Sequence, residues 1–124
     1  MIVDFHTHIF PKAVRNDRMH YFEGESAFRL LYESPKSRVS GAEEIIAAMD
    51  EQGVDHSVVF GFPWCNPEIY KMHNDYIMEA VARFPRRLTG FGCFDPAGDE
   101  AENEALRCIR SEEHTSELQS LLII

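Results

Sequence analysis

The chain has 124 residues, 44% of them hydrophobic and 27% charged, ordinary values for one soluble globular unit. Twelve basic residues stand against twenty-one acidic ones, and the formal net charge of −9 repels phosphate backbones, which excludes nucleic acid as the expected partner. No apolar run approaches the roughly 20 residues that span a bilayer, no signal peptide is read at the N-terminus, and Cys65, Cys93 and Cys108 lack metal or redox spacing, so a cytoplasmic chain with no membrane partner is expected.

The first predicted element is the strand Val3-Asp4-Phe5-His6-Thr7-His8. Alternation places Asp4, His6 and His8 on one face and turns Val3 and Phe5 toward something apolar. Two imidazoles at a strand end can converge on one divalent metal, with zinc–nitrogen bonds of roughly 2.0–2.1 Å. Each ring then needs an acceptor on its second nitrogen to set its tautomer. His6 and His8 are the expected ligands, and Asp4 is placed beside the metal rather than on it. The plain alternative is two half-exposed histidines at a strand end. The apolar strand before the pair and Ile9-Phe10-Pro11 after it favour the metal.

The opening M-I-V-D-F-H-T-H-I-F-P resembles that of the amidohydrolase superfamily, and within it the amidohydrolase-related group that includes aminocarboxymuconate-semialdehyde decarboxylase. The resemblance implies an α/β chain of the TIM-barrel, (β/α)8 type whose first strand supplies the metal pair His6 and His8. Such a barrel takes about 250 residues, so this chain would hold its first three βα units.

A long connection follows, from Ile9 to Val39, with a helical turn at Ala27–Tyr32. In a barrel it would leave the C-terminal face, where active sites lie. Its arginines, among them Arg15, Arg18, Arg29 and Arg38, fit a lid that meets a substrate carboxylate equally well as a solvated insertion. Ser40-Gly41-Ala42-Glu43 reads as a capping box that opens a helix with Ala42, Ile45, Ile46 and Met49 on one face and Gly53 as its stop. Ser57–Phe60 is a buried strand by composition. Phe62 and Trp64, in the loop at its C-terminal end, either line a substrate pocket or pack between loops; Trp64 is the candidate substrate contact. His56 starts this strand and lies at the opposite end of a parallel sheet from the metal pair. Cys65 has no base in its own motif, which leaves a nucleophilic role unsupported.

Asn66-Pro67 caps a helix that runs to about Arg83, with an apolar stripe of Ile69, Met72, Tyr76, Ala80, Ile77 and Val81 and with His73 and Asn74 on its polar edge. Leu88–Phe94 is a third strand, whose Gly90 and Gly92 allow close approach or a bend. Asp95-Pro96 ends it as a turn. A third helix is expected over Asp99–Ile109. The alternation of strand and helix argues for a parallel sheet with right-handed crossovers. The phrases G-V-D-H-S-V-V-F-G and F-P-R-R-L-T-G-F-G-C-F-D-P resemble the second and third units of the same family, so the resemblance spans Met1 to about Ile109. Arg110–Ser120, which includes His114, resembles an in-frame translation of a DNA sequencing adapter. The expected organisation is a partial barrel over 1–109 and a non-native tail over 110–124.

The resemblance implies one divalent metal, zinc first and manganese second, and either hydrolysis or decarboxylation of a small substrate; the arginine-bearing first loop tilts that substrate toward a carboxylated one. A metal of this kind lowers the pKa of bound water to about 7 or holds a carboxylate. The remaining ligands and the catalytic acid and base would lie on later strands, so the fragment itself is expected to be inactive, and the parent protein is a candidate homo-oligomer. Two other classes share the opening: a metal-dependent phosphoesterase of the polymerase-and-histidinol-phosphatase or TatD-like type, and an inert, non-enzymatic fragment.

Overall fold

A computed structural model of the chain describes residues 1–113 and 122–123. Strands β1 (Val3–His8), β2 (His56–Phe60) and β3 (Leu88–Gly92) pair in that order, all parallel, and a two-residue β4 (Leu122–Ile123) pairs with β3. The β1–β2 connection carries α1 (Lys12–Asn16), a 3-10 turn at Arg18–Tyr21, α2 (Ser26–Tyr32) and the crossover helix α3 (Ala42–Gln52). Helix α4 (Pro67–Arg83) joins β2 to β3, and α5 (Ala101–Glu113) follows β3. These are three parallel βα units of the kind that build a TIM-type barrel. Of the stretch expected to be a tail, Arg110–Glu113 continue α5 and Leu122–Ile123 form β4, while His114 lies outside the described residues.

Local chemistry sets the helix ends. Asn66 caps α4 by accepting from the Glu68 amide at 2.9 Å, and Pro67 occupies the first turn, where no amide is needed. Gly53 ends α3 in the left-handed region, φ 71°, which costs a residue without Cβ little. The start of α3 is one residue later than the capping box predicts. Gly41 is the cap and Glu44 reaches back to its amide at 3.3 Å, because the Ser40 carbonyl is taken by the Phe10 amide at 2.8 Å.

The main core lies between the sheet and helices α3 and α4, where Val59 and Leu88 meet Met49, Ile77, Ala80 and Val81. A second, aromatic core holds the first connection: Phe10, Val14, Phe28, Phe62, Trp64 and Tyr70. The connection is therefore anchored through Phe10, Val14 and Phe28, while Met19, Leu30 and Leu31 remain exposed. Its arginines serve it from within: Arg18 donates to the carbonyls of Tyr32, Ser34 and Ser37, Arg15 to that of Phe10, and Arg29 pairs with Glu33.

A polar cluster locks α4, β3 and α5 together. Asn74 donates to the Cys93 carbonyl and accepts from the Cys93 amide, both at 2.9 Å, so its amide group acts as one more strand partner. It also donates to Glu104, fully buried on α5, which Arg107 holds from the other side. Gly92 makes the close approach possible, since a Cβ there would lie 3.2 Å from Cys108 Sγ.

Strand β1 carries one residue more than β2. Asp4 pairs with Ser57 and His8 with Phe60, and the register shifts between Asp4 and Thr7. Such a bulge breaks the period-2 alternation. Asp4 and Thr7 consequently face α3, in a cleft with Ile45, Ala48 and Met49, while His6 and His8 lie with Phe60 on the other face. This corrects the expectation that Asp4 shares a face with the histidines. Phe5 sits within the bulge and is 73% exposed, not turned to an apolar partner.

Candidate metal centre

His6 and His8 meet at the C-terminal end of β1. Their Nε2 atoms face each other at 3.1 Å, with the rings nearly edge to face. Two nitrogens bound to one zinc at roughly 2.0–2.1 Å and a tetrahedral angle lie about 3.3 Å apart, so the pair is close to the separation that an ion would impose. His8 Nδ1–H donates to the Gly61 carbonyl at 2.7 Å. This leaves the lone pair of Nε2 pointing at His6, which is the tautomer a ligand needs. Burial lowers the His8 pKa, partly opposed by the hydrogen bond to Gly61 and reinforced by His6, so the metal-competent neutral ring is favoured. His6 stacks on Phe60 at 4.8 Å, and Phe60 stacks on Phe91 at 4.9 Å, which fixes the ring from below. Among the described residues no third His, Cys, Asp or Glu joins the pair. The two histidines fit a divalent cation as part of a ligand set rather than a whole one.

The pair opens onto a cleft of about 410 Å³ lined by Ala27 and Leu31 of α2, Phe60, Phe62, Pro63, Cys93 and Phe94. Among the described residues no arginine lines it. Of the two aromatics read as pocket candidates, Phe62 is on the wall. Trp64 is fully buried behind it, 5.3 Å ring to ring, and its indole donates to His73 Nδ1 at 2.8 Å. Asp4 reaches the pair only through the backbone, by accepting from the His6 amide at 3.0 Å. Asp95 accepts from the Ala97 amide as a turn residue. Cys65 is exposed, and the carboxylate of Glu25 raises its thiol pKa, the wrong direction for a nucleophile. His56 lies at the far end of β2, bonded to Thr89 Oγ1 and the Arg86 carbonyl.

Two supporting residues escape the sequence reading. His73, placed there on a polar edge, is only 1% exposed. Its Nδ1 accepts from Trp64, so its Nε2–H donates to the Ile9 carbonyl at 2.6 Å, directly after the metal pair. Its ring also lies against Gly61, where a Cβ would come within 3.4 Å. His73 thus braces both the strand that carries His8 and the carbonyl that sets its tautomer. The spacing of Tyr70, Ile77, Ala80 and Val81 frames positions 73 and 74 as inward, a signal that polar identity masked. Glu25, equally unheralded, is buried and accepts from the Cys65 and Asn66 amides at 2.8–3.0 Å, pinning α2 to the start of α4 and so to the cleft.

No family model matches the sequence, and no curated protein matches it. Solved structures do. A 5-carboxyvanillate decarboxylase from Novosphingobium aromaticivorans, complexed with manganese and 4-hydroxy-3-methoxy-5-nitrobenzoic acid, matches with TM-score 0.69 and 15% identity, over 98% of this chain and 41% of that one. A 4-oxalomesaconate hydratase from Rhodopseudomonas palustris matches with TM-score 0.57 and 20% identity, over 93% of this chain and 40% of that one. At these identities the likeness shows the fold. The chain spans about two fifths of the length of either protein. No described helix is long and apolar enough to cross a membrane.

Proposed function

We propose that this chain carries the two-histidine part of a divalent-metal centre in a decarboxylase or hydrolase that acts on a small, carboxylated substrate. The observation that carries the reading is the facing of His6 and His8 Nε2 at 3.1 Å, with the His8 tautomer held by Gly61. A bound ion would supply an activated water or a grip on a carboxylate. The residues of the chain supply the rest. Phe60 orients His6, Gly61 orients His8, and Phe62, Phe94 and Leu31 make an apolar wall that favours a flat, unsaturated substrate.

Among the described residues no cationic side chain lines the cleft, so within this chain a substrate carboxylate would meet the metal rather than an arginine. The solved decarboxylase of like fold holds manganese and a benzoic acid, which supports manganese beside zinc as the ion and an aromatic acid as the substrate. A catalytic site of this kind takes three protein ligands and a water, so the further ligands are assigned to strands that complete the barrel, and the 124 residues alone should bind metal weakly and turn nothing over. The adapter-like stretch from Arg110 is read as no part of the enzyme, and the parent as a cytoplasmic protein that works without nucleic acid or membrane.

Calorimetric titration of Zn2+ and Mn2+ into the chain at pH 7.5 tests the reading. One ion should bind per chain and be lost in the double variant His6→Ala/His8→Ala. Equal uptake by the double variant would overturn it.

A further inference from the structure

The bulge in β1 decides where the histidine pair points. With Asp4 opposite Ser57 and no extra residue, His6 would fall opposite Val59 and His8 opposite Gly61. Both rings would then lie on the side of Val59, which packs into the core under α3 and α4. A shift of one residue moves a whole run of side chains to the other face. The observed register instead sets Thr7 opposite Val59 and His8 opposite Phe60, on the side of the cleft.

A bulge leaves an amide without its ladder partner. Here Asp4 takes that role. One carboxylate oxygen accepts from the His6 amide at 3.0 Å and the other from Thr7 Oγ1 at 2.9 Å. The two contacts close the residues at either end of the extra step onto one side chain. We propose that Asp4 is a positioning residue: through its clasp on the His6 amide and the Thr7 hydroxyl it holds the bulge that turns His6 and His8 into the cleft. This rests on the metal-centre reading for its purpose, but not for its geometry. A carboxylate suits the task because it only accepts, has two oxygens, and bonds amides more strongly than a neutral group.

The test compares Asp4→Ala, Asp4→Asn and Thr7→Val in the 124-residue chain by zinc calorimetry and by exchange of the His6 amide in NMR. Loss of a residue that orients ligands typically lowers metal affinity about 10–100-fold, and Asp4→Ala should fall in that range. Asp4→Asn keeps an oxygen for the His6 amide and an amide for Thr7, so its affinity should stay within about threefold of wild type. Thr7→Val, which keeps shape and loses one contact, should fall between them. The His6 amide should be protected in wild type and Asp4→Asn and exchange faster in Asp4→Ala. If the wild type takes up no zinc, the metal reading fails, and the clasp stands or falls on the amide. Unchanged exchange in Asp4→Ala, or wild-type zinc affinity in Asp4→Ala, would overturn the clasp. Should Asp4→Ala not fold, Thr7→Val decides: wild-type affinity together with wild-type exchange at His6 would overturn it.

Discussion

Acid should destabilise this chain through His73. Burial pushes the ring down from its ordinary 6.5 to about 4, against the partial support of the Ile9 carbonyl, while His8 pushes the same way. The unfolded chain therefore binds a proton between pH 6.5 and 4 that the folded chain refuses, and stability must fall as pH falls through that window. At 1.36 kcal/mol per pKa unit the full loss is about 3 kcal/mol, of which about 2 kcal/mol is gone by pH 5. Below pH 4 the folded ring protonates too, and this contribution levels off. Urea unfolding at pH 7.5, 6 and 5, followed by the fluorescence of Trp64, measures it, since that indole bonds the ring in question. The control is His73→Leu, which starts less stable because Trp64 Nε1 and the Ile9 carbonyl lose their partner. It should nonetheless lose about 2 kcal/mol less than wild type between pH 7.5 and 5. The lowered pKa of His8 acts in the same direction in both proteins and cancels in the comparison. Parallel loss in wild type and His73→Leu across the window would refute the argument.

Glu25→Ala removes the acceptor of the Cys65 and Asn66 amides and should cost about 2–3 kcal/mol by urea midpoint, with Glu25→Gln costing clearly less; equal losses would show that the carboxylate does not bear the contact. Gly92→Ala drives a Cβ to 3.2 Å from Cys108 Sγ and should destabilise by about 1–3 kcal/mol, most of it recovered in the double variant with Cys108→Ala, as a double-mutant cycle would read. At pH 7.5 iodoacetamide should label Cys65 before the others by mass spectrometry, because Cys65 is exposed while burial pushes the thiols of Cys93 and Cys108 up to about 11 and about 12.

Much of this architecture can be read from the residues alone. The apolar strand that ends in two histidines, the Asn66-Pro67 opening of α4 and its end at Arg83, the Gly53 stop and the β-branched β2 all rest on local chemistry, and local chemistry is what a single sequence displays. The misreadings share another cause. Strict alternation puts Asp4 on the histidine face, and a single extra residue in β1 defeats any such count. Polar identity alone sets His73 and Asn74 on a polar edge; what buries them is distant in the chain, the Ile9 carbonyl 64 residues away for His73 and, for Asn74, Cys93 and Glu104 at 19 and 30 residues. Trp64 was a pocket candidate as an aromatic near the site, but the connection from Ile9 to Val39 folds over it, and that packing emerges only from α1, the 3-10 turn and α2 together. The arginines there looked equally fit for substrate or solvent, and backbone carbonyls claim Arg15 and Arg18 instead.

Repeated βα units suggest a molecule that can be cut and respliced at any loop. The cluster around Asn74 limits where the cuts can fall. Helix α4 belongs to the second unit, yet its Asn74 closes the end of β3 and holds a fully buried carboxylate that arrives on α5. A chimera that joined this α4 to a third unit from another barrel would leave a buried polar group unpaired, at about 1–3 kcal/mol for each. The exchangeable module is therefore not one strand and its helix. His73 ties α4 back to the Ile9 carbonyl and Glu25 holds the Asn66 amide in the same way, so recombination with foreign barrels should fail at a seam ahead of Asn66 as well as at one between Phe84 and Leu88.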